Sequence, residues 1–332
     1  MDESVNHEPW GARAVRLGRC DLTDGPRAAA ALLPRSPGVY RFRDARGRVL
    51  YIGRAVDLRR RVQSYWSIRH ERPHLSAMVV RITRLEAVAC DSEHEAAWLE
   101  RNLMEESLPP WNATPGGQEA SAYIRLDTGA GAPQITFVHT PRPGSGVHHF
   151  GPYLGGSRVR LAISALGRVL PLAYAGEDMI GFGRDMARAR RVGPHDRDVL
   201  IERVSAVLER RPVAIAALRA ELLRRRNAAA KSLDFELAAR LWDEIEAIDW
   251  VCSEQKATLA EPVDLDIHGW TNGVLVRFQV RAGRLCGWQQ QTCAEPKARP
   301  LVAATPVAWA TFALRNAELA ARLTDPRPRG VE

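Results

Sequence analysis

Cysteine is scarce in this chain, and its cysteines are not arranged in pairs. The 332 residues include five cysteines, widely separated and without a CxxC motif: Cys20, Cys90, Cys252, Cys286 and Cys293. A disulfide framework or a structural zinc site needs cysteines at characteristic spacings. The sequence therefore predicts reduced, unlinked cysteines.

Long apolar runs are also missing. No stretch approaches the roughly 18 apolar residues that a membrane span requires. The first residues include Asp2, Glu3 and Glu8 instead of the basic and then apolar order of a signal peptide. We therefore expect no membrane association and a cytoplasmic location, and the length suggests two or three domains.

Lysine is nearly absent, although the chain is basic. The formal net charge is +8, and this sign suits a polyanionic partner such as nucleic acid. Only Lys231, Lys256 and Lys297 are lysines among 47 basic residues, however, as an arginine-biased genome would also produce. Charge alone does not identify the partner.

The most informative stretch is a hairpin pattern near the N-terminus. Two short runs rich in β-branched and aromatic residues, Val39 to Phe42 and Val49 to Ile52, flank a polar segment that contains Gly47. Such runs around a glycine-bearing turn are typical of two antiparallel strands. Each predicted strand carries one tyrosine, Tyr40 in the first and Tyr51 in the second.

The residues after the hairpin predict helices and a third strand. Ala55 to Trp66 and Met78 to Ile82 are predicted helices, and Leu85 to Ala89 is a predicted strand. Ser92 and Glu95 then have the spacing of a capping box at the start of a further helix. Its apolar stripe predicts a buried face, with Glu100 at the edge, where a carboxylate can reach a cleft. A small α+β domain is expected.

This order of elements resembles the GIY-YIG nuclease family. The resemblance is carried by Gly38-Val39-Tyr40, Tyr51-Ile52-Gly53, the basic helix with Arg61 and Tyr65, the helix with Glu100, and Pro110-Trp111-Asn112. It implies a three-stranded antiparallel sheet with packed helices and cleavage of double-stranded DNA. It also implies a Mg²⁺ or Mn²⁺ ion held by Glu100, which suits a metal that keeps several water ligands.

The resemblance assigns roles to several residues. Tyr40 and Tyr51 are alternative general bases, but a phenol with pKa near 10 is a poor base at neutral pH unless cations lower that value. Arg54 and Arg61 could clamp the scissile phosphate and stabilise a phenolate. Tyr65 could equally be a core residue. The candidate phosphate or DNA contacts are Gly53, Arg59, Arg60, Tyr65 and Asn112.

Within this family, the likeness is greatest to the N-terminal half of the UvrC excinucleases and to their short, Cho-like homologues. Strands at Tyr123 to Leu126 and Gln134 to His139, and a helix at Val159 to Val169, are predicted after the nuclease pattern. UvrC proteins usually carry a cysteine cluster after this helix, thought to hold an iron-sulfur centre. This chain has Leu170 to Tyr174 there, so no iron-sulfur cluster is expected.

A helical hairpin is predicted between Arg197 and Trp250. Its run from Leu233 to Ile245 resembles the UVR motif, through which UvrC proteins engage their excinuclease partner UvrB. The helical spacing groups four residues on one face: Phe235, Ala238, Ala239 and Trp242. Such a face either completes the hairpin's own core or meets a partner.

The C-terminal segment predicts a second hairpin, Val274 to Val280 with Arg284 to Trp288, and a last helix, Val307 to Leu323. It resembles the beginning of the ribonuclease-H-like domain of UvrC proteins, without the carboxylates of a second active site. The predicted division is an N-terminal extension (1–35), a nuclease domain (36–115), a β-strand and helix linker (116–196), a UVR-like helical region (197–256) and a C-terminal α+β remnant (257–332).

The sequence thus predicts a metal-dependent DNA endonuclease of the nucleotide excision repair type. It would make one incision, and the side 3′ to a lesion is one option. A non-catalytic repair adaptor that binds DNA and UvrB is the alternative, and a nuclease of recombination or mobile-element defence is a third. Retention of Tyr40, Tyr51, Arg61, Glu100 and Asn112 together argues against the adaptor.

Overall fold

A computed structural model of the chain describes residues 25–67, 73–112, 120–129, 131–177 and 179–324. The predicted N-terminal extension is described only from helix α1 (Gly25–Ala31) onward. The end of the predicted C-terminal remnant, 325–332, lies outside the described residues. No helix in these ranges is both long and apolar enough to cross a membrane.

The predicted hairpin forms two strands of a three-stranded antiparallel sheet. Strand β1 (Gly38–Arg43) lies between β2 (Val49–Ala55) and β3 (Arg84–Ala89). The register of β1 and β2 places Tyr40 opposite Gly53. The sheet and the α+β class predicted from the sequence are therefore confirmed.

Two of the predicted helices in this region have different bounds. Helix α2 (Leu58–Gln63) begins after Ala55 because Ala55 still belongs to β2 and the Asp57 carboxylate caps the helix. Helix α3 (Pro73–Val79) overlaps the helix predicted over Met78 to Ile82 at only two residues. Both predictions were wrong in position, since apolar spacing alone does not locate a cap or a turn.

Helix α4 (Glu93–Glu106) starts with the predicted Ser92 cap but not with a full capping box. The Ser92 Oγ accepts a hydrogen bond from the Glu95 amide at 3.0 Å. The buried Glu95 carboxylate accepts from the amides of Asp91 and Lys256, each at 2.7 Å, instead of from the Ser92 amide. The first turn of α4 is thereby tied to a segment 161 residues later.

The middle of the chain folds as one unit of sheet and helices. Its antiparallel sheet has the order β5-β4-β6, and the helices that follow include the predicted hairpin of α8 and α9. The elements are β4 (Ala122–Asp127), β5 (Gln134–Val138), β6 (Val147–Tyr153), α5 (Gly156–Val169), α6 (Gly181–Arg190), α7 (Arg197–Leu208), α8 (Pro212–Lys231) and α9 (Phe235–Val251). Strand β6 and helix α6 were not predicted.

The predicted boundary at residue 196 does not separate two cores. Ile124 of β4, Leu166 of α5, Leu222 of α8 and Leu241 of α9 belong to the same buried cluster. The 116–196 segment and the UVR-like region therefore share one hydrophobic core. Helix α5 makes this possible because it packs on β4 and β5 and also on α9.

The C-terminal segment forms a third antiparallel sheet, in the order β7-β8-β9, with two helices. The predicted hairpin and last helix are present, and β7 and α10 are additional. The elements are β7 (Leu265–Thr271), β8 (Val274–Arg281), β9 (Arg284–Thr292), α10 (Glu295–Ala303) and α11 (Val307–Thr324).

This third sheet shares a core with the nuclease region. Val39 and Leu99 of the nuclease region and Phe278 and Phe312 of the C-terminal segment lie in one buried cluster. Helix α11 packs on β3 as well as on β7 and β8, and α4 packs on β2 and β9. The C-terminal segment is therefore part of the framework around the first sheet.

A buried charge cluster on the first sheet joins these parts. Glu86 of β3 is 2% exposed and forms ion pairs with Arg41, Arg43 and Arg84. Burial alone would raise the pKa of Glu86, but the three arginines hold it below its usual value. The guanidinium of Arg41 also lies 3.8 Å from the ring centroid of Trp288 in β9. The cluster therefore links the first sheet to the C-terminal sheet.

Replacing Glu86 with glutamine should destabilise the protein strongly. The Glu86→Gln change leaves the buried Arg41 without a counter-ion, and removing one partner of a buried pair costs roughly 3 kcal/mol or more. Urea unfolding followed by circular dichroism measures this loss. Glu295→Gln, which removes an exposed ion pair with Arg299, should change stability by less than about 1 kcal/mol. Equal effects of the two variants would contradict the account of this cluster.

Candidate active site

An aromatic cluster occupies one face of the first sheet. Tyr40, Phe42, Tyr51 and Tyr65 pack with ring centroids 5.1 to 6.3 Å apart, mostly in tilted or edge-to-face arrangements. Tyr40 and Tyr65 are fully or almost fully buried, and their hydroxyl oxygens are 2.8 Å apart. Tyr51 is only half-buried. Of the two candidate bases, Tyr51 is therefore the one that a substrate can reach.

Gly53 makes this arrangement of tyrosines sterically possible. A Cβ atom on Gly53 would lie 2.6 Å from the Tyr40 hydroxyl and 2.7 Å from the Tyr51 Cε1. Both distances are shorter than non-bonded contacts allow. The glycine is thus needed because two phenol rings approach its Cα closely, and its contact with phosphate or DNA stays a prediction.

The two catalytic tyrosine candidates are strongly disfavoured as phenolates in the free protein. Burial, followed by the neighbouring phenols of Tyr65 and Tyr51, raises the pKa of Tyr40 well above its usual value. Burial also raises the pKa of Tyr51, and the nearby Glu100 contributes. Arg61 lowers both pKa values, as the sequence suggested, but burial outweighs it. At neutral pH both hydroxyls therefore carry their protons.

Arg61 is held next to these phenols by the basic helix. Its guanidinium carbon lies 5.4 Å from the ring centroid of Tyr65. Burial opposes its charge, but the oxygens of Tyr40 and Tyr65 outweigh burial and raise the pKa of Arg61 above its usual value. Arg61 therefore stays charged and can face a phosphate beside the tyrosines.

Glu100 lies beside the last residues of β2. One carboxylate oxygen accepts a hydrogen bond from the Arg54 amide at 3.1 Å, and the other lies 3.3 Å from Arg54 Nε. Burial raises the pKa of Glu100, and Arg54 lowers it by less. Helix α4 thus brings the predicted carboxylate to the hairpin, with Arg54 as its partner.

Glu100 suits a hard divalent cation. No group of three or more His, Cys, Asp or Glu side chains comes together in the part of the chain that the structure describes. A site with one carboxylate matches Mg²⁺, which retains water ligands and uses substrate phosphate oxygens. A bound cation would also stabilise the ionised form of Glu100 and so offset the effect of burial, which raises the pKa of this carboxyl.

Three predicted phosphate contacts have structural partners within the chain. The Asn112 side chain accepts from the Ile52 amide at 3.0 Å and donates to the Ile52 carbonyl at 2.8 Å. Arg59 Nε donates to the Leu33 carbonyl, and the Tyr65 hydroxyl contacts Tyr40. These contacts occupy both polar ends of the Asn112 amide, so its observed role is to pair with the free edge of β2. Arg60 is exposed and remains a candidate phosphate contact.

Sequence reasoning missed the residues that brace α4. Asn102, two residues beyond Glu100, is 1% exposed, and its Nδ2 donates to the Ala257 carbonyl and the Thr258 hydroxyl. Its Oδ1 accepts from Arg284 Nε and Nη2 at 3.1 and 3.0 Å. An asparagine inside the apolar stripe of α4 was a signal of such a network, but its partners, more than 150 residues away, were not predictable.

The UVR-like residues lie on two sides of α9. Phe235, Ala239 and Trp242 are exposed, with Phe235 at 66% and Trp242 at 41%. Ala238 is 9% exposed and belongs to the core of the helical unit with Leu241. The prediction that all four residues share one partner-binding face was therefore wrong for Ala238, because α8 and α5 pack against α9.

The fold and this site define a GIY-YIG endonuclease domain. Residues 36–113, less than a quarter of the chain, match the UvrC-like GIY-YIG domain. A crystal structure of the GIY-YIG N-terminal endonuclease domain of UvrC from Thermotoga maritima, bound to magnesium as its catalytic divalent cation, is 32% identical. The match covers 27% of this chain and 98% of the chain in that crystal structure, with a TM-score of 0.25.

The wider chain is similar to UvrABC system protein C. The protein from Moorella thermoacetica is 33% identical over 247 residues, which cover 71% of this chain and 40% of that protein. The protein from Mycobacterium marinum is 31% identical over 288 residues, or 82% of this chain and 44% of that protein. The chain thus spans less than half the length of these curated relatives.

Proposed function

We propose that this chain is a metal-dependent endonuclease that hydrolyses a phosphodiester bond of double-stranded DNA in nucleotide excision repair. The observation that supports this most is the placement of Glu100 against β2, near the half-buried Tyr51 and within reach of Arg54. A carboxylate, a phenol and fixed cations at one sheet end are the groups that phosphodiester hydrolysis needs.

The position of each side chain determines its proposed role in the reaction. Tyr51 reaches the substrate and orients the attacking water through its hydroxyl, and Tyr40 and Tyr65 position that ring from the buried side. Arg61 and Arg60 offer charge to the phosphate, which an arginine fork can bind through two hydrogen bonds. Arg54, whose amide and Nε contact the Glu100 carboxylate, would offer a further positive charge to the phosphate. Tyr51 or Tyr40 can accept a proton only if the binding of DNA lowers the pKa of that phenol.

Glu100 would hold the Mg²⁺ or Mn²⁺ ion. When bound, such an ion supplies Lewis-acid stabilisation of the negative charge that develops on the phosphate oxygens. The choice of metal is supported by the donor at the site, since a single, partly exposed carboxylate suits a hard cation that keeps its water ligands.

Removing the metal should abolish incision. A supercoiled plasmid, damaged or undamaged, is incubated with the protein in Mg²⁺, in Mn²⁺ or in excess chelator, and nicked product is measured over time. We expect nicking in either metal and a loss of at least about a hundredfold in chelator, since charge stabilisation by the ion contributes several kcal/mol. Restoring Mg²⁺ should restore the rate, which separates chelation from unfolding.

The same assay distinguishes the adaptor alternative. An adaptor would bind damaged DNA but leave the plasmid intact under every metal condition. Mapping the products on an end-labelled duplex with one defined lesion then locates the incision, which we propose to be on the 3′ side. Incision only on the 5′ side would contradict that assignment, and undamaged and damaged substrates cut equally would contradict a repair role.

We also propose that the exposed residues of α9 bind UvrB, the excinuclease partner implied by the UVR-like motif. Phe235 and Trp242 are large apolar side chains exposed about two turns apart in the first half of α9, and aromatic side chains of this kind are common interface anchors. The resemblance of the run from Leu233 to Ile245 to the UVR motif supports the same partner.

Shortening both anchors should weaken that association. Phe235→Ala with Trp242→Ala should reduce the affinity for purified bacterial UvrB by about tenfold or more, because aromatic anchors dominate interface energies. Surface plasmon resonance measures the change. Phe182→Ala, which shortens a similarly exposed phenylalanine in α6, should leave the affinity unchanged. If the double variant binds UvrB as tightly as the wild type does, this partner surface is wrong.

A further inference from the structure

Arginines converge on a cleft far along the chain from the catalytic residues. The cleft encloses about 610 Å³ between the ends of α5 and α6 and the sides of α7 and α8. Among the described residues that line the cleft, Asp196 is the one acidic residue and five are arginines: Arg168, Arg190, Arg191, Arg203 and Arg225. The cleft belongs to the middle unit, whose core is separate from the two cores beneath the catalytic site.

Three of the arginines are fixed by contacts inside the unit. Arg168 forms an ion pair with the fully buried Glu244 at 2.7 Å. Arg225 forms an ion pair with Glu221 at 2.6 Å and donates to the Arg168 carbonyl. Arg190 lies over the ring of Tyr174, with its guanidinium carbon 5.5 Å from the centroid. These contacts hold the three arginine side chains in place along the cleft.

The other two arginines have no acidic partner among the described residues. Arg191 ends α6 in a left-handed conformation, with φ of 53°, and Arg203 projects from the middle of α7. Both are exposed. The Asp196 carboxylate accepts a hydrogen bond from the Gly193 amide and lies 3.1 Å from His195 Nε2, so its polar contacts are local.

An arginine-rich composition does not by itself produce this pattern. Helix α8, which carries the cleft residue Arg225, also carries Arg219 and Arg224. Both are exposed, but they are paired with Asp249 and Glu221. In the cleft, by contrast, positive charges face a shared space and two remain uncompensated. Like charges gathered in this way repel one another, and a polyanion that enters the space relieves that repulsion and releases counterions.

We propose that this cleft is a second DNA-binding site that takes backbone phosphates of the duplex at a distance from the scissile bond. The proposal rests on the proposed function, because it assumes that DNA is the substrate. Guanidinium groups bind phosphate oxygens in bidentate fashion, and an open cleft with exposed arginines suits a continuous backbone. A second point of attachment restricts how the duplex lies across Glu100 and Tyr51 and so favours the reactive alignment.

The test removes the two uncompensated charges without disturbing the fold. Asparagine tolerates the left-handed conformation at the end of a helix, so Arg191→Asn is combined with Arg203→Gln. The control is Arg219→Gln with Arg299→Gln, which removes two ion-paired arginines and lowers the net charge equally but outside the cleft. Each pair is made in a Glu100→Gln background for binding and in the native background for nicking, and thermal unfolding confirms that all variants fold.

Binding is measured by fluorescence anisotropy with a labelled duplex of about three helical turns, over a range of salt concentrations. The cleft variant should bind about tenfold to a hundredfold more weakly near 0.1 M salt, and its log–log salt slope should be smaller by about 2. The control should keep the parent slope to within about 0.5.

Equal slopes and affinities for the cleft variant and the parent would overturn the proposal, while nicking by the native-background protein would leave the proposed function intact. If the parent neither binds nor nicks the duplex, the proposed function fails and the cleft proposal fails with it. A parent that binds through the cleft but does not nick in any metal would overturn only the nuclease assignment.

Discussion

Glu100→Gln should lower the rate of DNA nicking by about a thousandfold or more at saturating Mg²⁺. Glutamine retains an oxygen that can accept the hydrogen bond from the Arg54 amide, so the local backbone should be preserved. It removes the negative charge that would hold a divalent cation, and losing about 4 kcal/mol of transition-state stabilisation corresponds to that factor. The rate is measured in single-turnover nicking assays.

The matched control for this variant lies on the same helix. Glu106 is exposed at the last turn of α4, and Glu106→Gln should retain nearly the full nicking rate. The thermal stability of Glu100→Gln should equal or exceed that of the wild type, since a partly buried carboxylate with a raised pKa is replaced by a neutral group. Similar nicking rates for Glu100→Gln and Glu106→Gln would show that Glu100 has no special part in the reaction.

Gly53→Ala should reduce nicking by about a hundredfold, because a 1 Å misplacement of reacting groups can cost that much. The added methyl group would lie 2.6 Å from the Tyr40 hydroxyl and 2.7 Å from the ring of Tyr51, so both phenols must move. Tyr40 is fully buried and has little room to adapt. The displacement should therefore disturb the Tyr40–Tyr65 hydrogen bond as well as the position of Tyr51.

Gly167→Ala is the control for an added methyl group. Gly167 lies in helix α5, and apart from its chain neighbours and the backbone of its own helix, no atom of the described residues lies within 4 Å of the position that a Cβ would take. This change should leave nicking unaffected and should slightly favour the helix. The two glycine variants should also differ in the near-ultraviolet circular dichroism of tyrosine, which reports on ring packing. Full activity of Gly53→Ala would contradict the tight fit of the tyrosines over this glycine.

The sequence was sufficient to predict the hairpin of β1 and β2 because its signals are local. Runs of β-branched and aromatic residues, a glycine-bearing turn and a serine cap specify β1, β2 and the start of α4 without reference to the rest of the chain. The resemblance to GIY-YIG nucleases, whose motifs occur here in the same order, then assigned Tyr51, Arg61 and Glu100 to one candidate site. The structure brings these residues to the same sheet.

What the sequence could not predict depends on distant contacts. Asn112 was predicted to contact phosphate or DNA, but its amide pairs with the edge of β2 at Ile52. Asn316 of α11 does the same for the opposite edge, where it accepts from the Ala89 amide at 2.7 Å and donates to the Ala89 carbonyl at 3.2 Å. Both contacts cover sheet edges that would otherwise be free to pair with other chains, and neither follows from periodicity.

The shared core of the nuclease and C-terminal regions was missed for a similar reason. A pattern of strands and helices predicts elements, but not which element covers which face. Helix α11 buries Phe312 with Phe278 of its own sheet while Leu319 and Leu323 reach the cluster that contains Tyr40. The C-terminal segment therefore supports the catalytic sheet without contributing a predicted catalytic residue.

The most direct test of the central claim is the binding of Mn²⁺ to the protein in the absence of DNA, followed by electron paramagnetic resonance. The claim is that one carboxylate, Glu100, makes the hairpin a metal-dependent catalytic centre. We predict a Mn²⁺ site in the wild type and in Glu106→Gln that competes with Mg²⁺ and is lost in Glu100→Gln. Equal Mn²⁺ binding by the wild type and Glu100→Gln would contradict the claim.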